Sequence, residues 1–305
     1  MNSKKKIIIV VSIGISLLLG WYLFIKKSDY CITFKAKTAT GTIFQCIQEW
    51  STVQQKSKKE NYTILEKRNF DFIKQEMKSD KANLEYTWEM KPENDSITKV
   101  IVGIKDLNNS VYNRLTAPFF NTNFKKEQIL KITDLRSGLE KHLETFKIKI
   151  IGEGKSEENF VAYISLKSVL QEKAQIMIGN DEIITGYLQQ NNIKIIGKPY
   201  VEVLNWDLDK ETLDYNYCFP IDKSTPYIKN QSVKFKSIPA IKGLKATYFG
   251  NFRTSDRAWF ALLDYAKKHN YKLENTPLEH FLDNPFNGGN ELEWKTEIII
   301  PFAKK

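Results

Sequence analysis

Two stretches of the chain read as one sequence written twice. Tyr187-Leu188-Gln189-Gln190-Asn191-Asn192-Ile193-Lys194 returns in altered form as Tyr265-Ala266-Lys267-Lys268-His269-Asn270-Tyr271-Lys272, 78 positions on, while Pro199 falls on Pro277 and Leu166-Lys167 on Leu244-Lys245. After a gap of three residues, Tyr215-Asn216-Tyr217-Cys218-Phe219-Pro220 matches Thr296-Glu297-Ile298-Ile299-Ile300-Pro301. Each copy reads as strand, helix, strand, strand. Two copies are too few to stack as a solenoid, so the duplication predicts one domain with pseudo-two-fold symmetry and a groove along the axis. Such a groove is the default binding site.

With 305 residues the chain is long enough for two ordinary domains, and a hydrophobic content of 42% supplies two cores. The net charge of +10 comes from lysine, because only Arg68, Arg114, Arg136, Arg253 and Arg257 carry a guanidinium. Base reading favours that bidentate fork, and no helix-turn-helix, zinc-finger or aromatic-basic pattern is present, so no nucleic-acid partner is expected. Cys31, Cys46 and Cys218 fall in different elements, and His142, His269 and His280 form no ligand cluster. Neither a metal site nor a cofactor is expected.

Residues Ile7 to Ile25 are nineteen consecutive uncharged, mostly apolar residues between Lys4-Lys5-Lys6 and Lys26-Lys27, with Trp21 and Tyr22 at one end. That length matches a hydrocarbon core, which predicts a single-pass anchor over 1–27 and a body outside the cytoplasm. A cleaved signal peptide is the alternative, but the run is too long and KKSDYC offers no small-residue cleavage site.

Residues 28–153 are expected to form an α+β module. Tyr30 to Ala36 alternates as a strand, Thr42 to Trp50 reads as a short helix, and five strands follow over 62–67, 70–77, 82–90, 96–104 and 109–115. A long helix from Asn123 to Phe146 closes the module, with Ile129, Ile132, Leu135, Leu139, Leu143 and Phe146 in one stripe. This order, opening with FKAKTATGTIFQCIQEW, resembles the START-like polyketide-cyclase and lipid-transfer (SRPBCC) superfamily. The resemblance implies a helix-grip sheet curved around the long helix, often enclosing an apolar cavity.

The duplicated region, 155–305, resembles the GyrI-like effector-binding domain of multidrug-sensing transcription activators and stand-alone small-molecule binders. Three stretches carry the match: Lys245-Ala246-Thr247-Tyr248-Phe249-Gly250-Asn251-Phe252 before the helix around Trp259, Leu278-Glu279-His280-Phe281-Leu282-Asp283-Asn284-Pro285, and Trp294 to Pro301. The resemblance implies a pseudosymmetric sheet backed by helices, with an acidic, aromatic groove for amphipathic or cationic organic molecules. A related branch hydrolyses small electrophilic compounds. Tyrosine usually stands where Phe281 stands here.

Strand periodicity places Leu292, Trp294, Thr296, Ile298 and Ile300 on one face and Glu293, Lys295, Glu297 and Ile299 on the other. The first set is the better core face, which puts Glu297 on the groove. Its repeat partner is Asn216, with Asp214 and Cys218 on the same face, and Glu279, Phe281 and Asp283 share a face by the same count. The candidate ligand-binding set is therefore Glu297, Glu279, Phe281, Asn216, Asp214, Trp294 and Tyr248; Trp294 falls on the core side of a regular strand and needs a bulge to reach the ligand, and Tyr248, Phe252, Trp259 and Tyr265 read as core or rim before ligand contacts. An organic cation would gain charge pairing with Glu297 and contact with nearby rings. No recognisable nucleophile, base or metal motif supports an enzyme, so the expected function is non-covalent binding of a small amphipathic, cationic or lipid-like organic molecule. The alternatives are a hydrolase activating water through Glu297 or Glu279, and an envelope scaffold that contacts lipid.

Overall fold

The computed structural model describes residues 3–58, 60–94, 96–228, 231–283 and 288–304. It divides into two compact units, Met1–Glu140 and Lys141–Lys305.

The first unit begins with helix α1, Ser3–Gly20, which passes into a π-helical turn at Trp21–Ile25. The apolar run 7–25 is thus not one α-helix, and among the described residues no helix is long and apolar enough to cross a membrane. This corrects the single-pass anchor, and with it the placement of the body outside the cytoplasm, which rested on that anchor. The end of the run is tied down instead. The buried Arg114 guanidinium donates to the carbonyls of Tyr22 (3.2 Å), Leu23 (2.8 Å) and Lys26 (2.5 Å), and the Tyr22 hydroxyl donates to the Arg114 carbonyl at 3.0 Å. Arg114 Nε also pairs with Asp29 at 2.7 Å, where both side chains are almost fully shielded.

Strands β1 (Tyr30–Ala36), β2 (Asn61–Arg68), β3 (Phe72–Lys78), β4 (Asn83–Pro92) and β5 (Thr98–Asp106) form an antiparallel sheet in the order β1-β5-β4-β3-β2. Helix α2, Thr40–Lys58, runs a full eight residues beyond the expected Trp50. The strand expected over 109–115 is instead helix α3, Ser110–Thr116. Its cause is Asp106, whose Oδ1 accepts the backbone N–H groups of Asn108 (2.9 Å) and Asn109 (3.0 Å) and turns the chain. Helix α4, Asn123–Leu143, buries Gln128, Ile132, Leu135 and Leu139, whereas Ile129 is exposed. Gln128 takes the inner position because its Oε1 accepts the buried Tyr86 hydroxyl at 2.6 Å. The alternation of β4 buries Leu84, Tyr86, Trp88 and Met90, and stacked Tyr86 and Trp88 rings fill the interior.

The second unit holds an antiparallel sheet of eight strands: β6 (Phe146–Lys155), β7 (Asn159–Val169), β8 (Tyr200–Asp207), β9 (Thr212–Pro220), β10 (Lys234–Ile238), β11 (Lys242–Gly250), β12 (Leu278–Phe281) and β13 (Lys295–Pro301). Their order is β10-β7-β9-β8-β12-β13-β11-β6. The inner six read β7-β9-β8 followed by β12-β13-β11, which is one repeat facing its own reversal. Local geometry repeats as well. Asn192 and Asn270 both adopt positive φ, 55° and 60°, and the isolated bridges Ile195 to Ile221 and Leu273 to Phe302 match under the same offsets of 78 and then 81. Helices α5 (Lys173–Gly179), α6 (Asp181–Gln190) and α7 (Arg257–Lys268) supply the packing, with α5 against β7 and α7 against β11 and β13.

The register locates the pseudo-dyad. Position 201 plus the repeat offset of 78 is 279, and Val201 is the residue that pairs with Glu279 across β8 and β12. Each is the other's equivalent, so the axis passes through that pair.

Candidate functional site

A strand sends alternate side chains to opposite faces, and the ladder pairings sort the candidate residues into two groups. Glu297 lies opposite His280 on β12, and Ile299 opposite Leu278. The pairs Tyr200 with Cys218 and Glu202 with Asn216 continue this face into the first repeat. Glu279 and Phe281, opposite Ile298 and Thr296, project the other way, together with Tyr215 and Tyr217 of β9. The sheet therefore separates Glu297 from Glu279 and Phe281.

On the Glu297 face the charged groups are neutralised across the strands. Glu297 pairs with Lys245 at 2.9 Å and is about a third exposed. Asn216 donates to Glu202 at 2.8 Å and accepts from the Ser165 hydroxyl at 2.9 Å, Lys236 also bonds Glu202, and Asp214 pairs with Lys167 at 2.8 Å. A cavity of about 260 Å³ lies here, lined by Lys155, Glu157, Tyr200, Lys245, His280 and Glu297 among others. The His280 ring stacks on Tyr200 at 4.2 Å. Burial lowers its pKa against the opposing pull of Glu297 and Glu157.

The helix-covered face carries a larger cavity of about 450 Å³. Its walls are Met177 and Ile178 of α5, Asp181, Glu182 and Thr185 of α6, Tyr217 and Phe219 of β9, Phe281 of β12, and Phe252, Lys198, Pro199 and Asp283 from adjoining loops. Four aromatic rings supply the apolar surface. Tyr217 meets Phe219 edge-on at 5.0 Å, and Phe252 meets Phe281 edge-on at 5.8 Å. Three carboxylates face one ammonium, so the lining is net acidic. Asp181 is fixed because its Oδ1 accepts the Tyr217 hydroxyl at 2.9 Å, and burial together with that carboxylate drives the tyrosine pKa up, keeping the hydroxyl a donor.

On the same face of the sheet is a dry ion pair. Lys173 Nζ lies 2.7 Å from Glu279 Oε2 and 3.0 Å from the Ser255 hydroxyl, and the two charged side chains are 1% and 0% exposed. Lysine has three N–H donors, and the third has the face of Trp259 beside it, 4.5 Å from the ring centroid. The Tyr215 hydroxyl donates to the Lys173 carbonyl at 3.1 Å and holds the start of α5 over β9. Glu279 Oε1 has no hydrogen-bond partner among the described residues.

Of the remaining expected residues, Tyr248 is a core side chain, fully buried, stacked on Phe146 and bonded to Thr254 Oγ1 at 2.7 Å. Trp294 lies on neither strand face. A 3-10 turn at Glu291–Glu293 delays β13 until Lys295, and the indole N–H donates to the Gly288 carbonyl at 3.2 Å. Asn284 and Pro285 lie outside the described residues. Lys173, Asp181, Tyr217 and Phe219 were not expected from the sequence, and Phe252, expected at core or rim, lines the cavity. Tyr217 and Phe219 had a usable signal, since they alternate with Asn216 and Cys218 and so take the opposite face.

Residues 158–303 match the family described as the GyrI-like small molecule binding domain. The match begins at residue 158 and gives no support to the START-like resemblance of residues 28–153. No curated protein matches the chain in sequence. Among solved structures, the C-terminal domain of EcmrR is 18% identical with a TM-score of 0.43, covering 52% of this chain and 99% of that one. EcmrR in a complex with DNA is 17% identical with a TM-score of 0.42, covering 59% and 69%. SAV2435 bound to tetraphenylphosphonium is 13% identical with a TM-score of 0.37, covering 52% and 93%.

Proposed function

We propose that the GyrI-like domain binds a small amphipathic organic molecule in the cavity between α5, α6, β9 and β12, with the apolar body against the aromatic walls and a cationic group at the carboxylates. The observation that carries this reading is the cavity itself. A volume of about 450 Å³ lies in the range of small-molecule sites, which are concave, mostly apolar and supplied with a few converging polar groups. Asp181, Glu182 and Asp283 against Lys198 make a cation the better-matched charge. The Glu297 face supports a second reading, because His280 Nε2 is buried there with no hydrogen-bond partner among the described residues.

Titration of the full chain with tetraphenylphosphonium and with neutral triphenylphosphine oxide tests the proposal. The double variant Asp181→Asn with Glu182→Gln keeps the acceptor for Tyr217 and removes two charges. It should weaken the cation about tenfold, or ~1.4 kcal/mol, and leave the neutral compound within about twofold. Equal affinity for the cation in the native chain and the double variant would count against the mouth carboxylates, and a loss confined to Glu297→Gln would favour the second reading.

A further inference from the structure

The Lys173–Glu279 pair adjoins the proposed pocket through both elements that build it. Lys173 and Met177 stand one turn apart on α5, and Glu279 and Phe281 two residues apart on one face of β12. Met177 and Phe281 line the cavity, so the fully buried pair is the immediate neighbour of its lining. A carboxylate alone at this depth would attract any cation in the pocket. Here the ammonium 2.7 Å away cancels that attraction at distances larger than the separation of the two charges. The same ammonium lies over the face of the fully buried Trp259 ring. Among the described residues, Glu279 Oε1 nevertheless has no partner in a side chain that is fully buried. An unmet acceptor in so dry a place is costly, and it leaves the carboxylate with capacity for a second donor.

We propose that Lys173 is a built-in counter-cation that sets the charge specificity of the pocket: it occupies the acidic floor at Glu279, so that ligand cations are held only at the mouth, and its removal opens a deep cation site. This rests on the reading of the pocket given above. Lys173 is a specificity determinant in this account, since it decides which charge the floor presents.

Calorimetric titration of the full chain with tetraphenylphosphonium and triphenylphosphine oxide separates the possibilities. Lys173→Ala removes the ammonium and opens space above Glu279, so affinity for the cation should rise about tenfold or more while the neutral compound changes by less than about twofold. Glu279→Gln leaves the Lys173 ammonium uncompensated beside the pocket, so cation affinity should fall about tenfold while the neutral compound changes by less than about twofold. A folded Lys173→Ala with native cation affinity overturns the inference, as does native cation affinity in a folded Glu279→Gln. Should Lys173→Ala fail to fold, Lys173→Met in the Glu279→Gln background decides: it should restore the cation affinity that Glu279→Gln loses, and no restoration overturns the inference. If the native chain binds neither compound, the pocket reading itself falls and takes this inference with it.

Discussion

Glu279→Leu is expected to destabilise the Lys141–Lys305 unit by about 3–5 kcal/mol, the range for stranding one member of a buried ion pair, and adding Lys173→Met should recover most of that loss. The asymmetry follows from solvation. In the native chain the ammonium has Glu279, Ser255 and the Trp259 face in place of water. Without the carboxylate it keeps one hydroxyl and a ring, too little for a charge that is 1% exposed. The double variant replaces both charges by apolar groups of similar volume, a change that is often close to neutral. Denaturant unfolding of the two variants and of Lys173→Met gives the coupling directly. A loss below about 1 kcal/mol in Glu279→Leu would place the pair in the surface class and contradict the dry floor.

Arg114→Ala should have a comparable effect on the first unit, about 3–5 kcal/mol by the same mechanism. Asp29 would lose its charged partner while still accepting the Asp106 N–H at 2.8 Å and the Ser110 hydroxyl at 2.5 Å. The carbonyls of Tyr22, Leu23 and Lys26 would lose their donors together. The tail that follows the π-helical turn should then detach locally, and trypsin should cut after Lys26 or Lys27 well before the sheet unfolds. Lysine is a poor replacement, because one ammonium cannot reproduce the planar fork that reaches Asp29 and three carbonyls at once. Native cleavage rates in Arg114→Ala would show that the guanidinium does not hold the tail.

Much of the second unit could be read in advance because duplication is written in the sequence at fixed offsets. The positive-φ residues Asn192 and Asn270, the bridges that follow them and the mirrored strand order all obey the offsets of 78 and 81. What the offsets did not reveal is which repeat strands meet at the centre. Only the adjacency of β8 and β12 shows that Glu279 lies on the axis, opposite its own equivalent Val201. The site was harder to read for a related reason. Alternation along β12 and β13 correctly grouped Glu279 with Phe281, but the phase between two strands depends on their register, and the register sends Glu297 to the opposite face. Extending the alternation through Trp294 failed because a 3-10 turn interrupts it. Lys173 carried no signal, being one lysine among 41 whose burial is decided by a tertiary partner 106 residues away. The anchor expected from residues 7–25 failed because the α-helix ends at Gly20 and the chain passes into a π-helical turn whose carbonyls Arg114 collects. Composition records that the run is apolar and is silent about such a partner.

The central claim is that ligand enters the aromatic cavity on the helix-covered face of the second sheet, and Met177 reports on it directly. The chain has four methionines, of which Met177 lines that cavity while Met77 and Met90 are buried in the first unit. Methyl NMR of 13C-methionine-labelled chain during titration with tetraphenylphosphonium is predicted to move the Met177 signal saturably, leave those of Met77 and Met90 in place, and give the same titration in Glu297→Gln. A Met177 signal that stays still at saturating ligand, or one whose response vanishes in Glu297→Gln, would contradict the account.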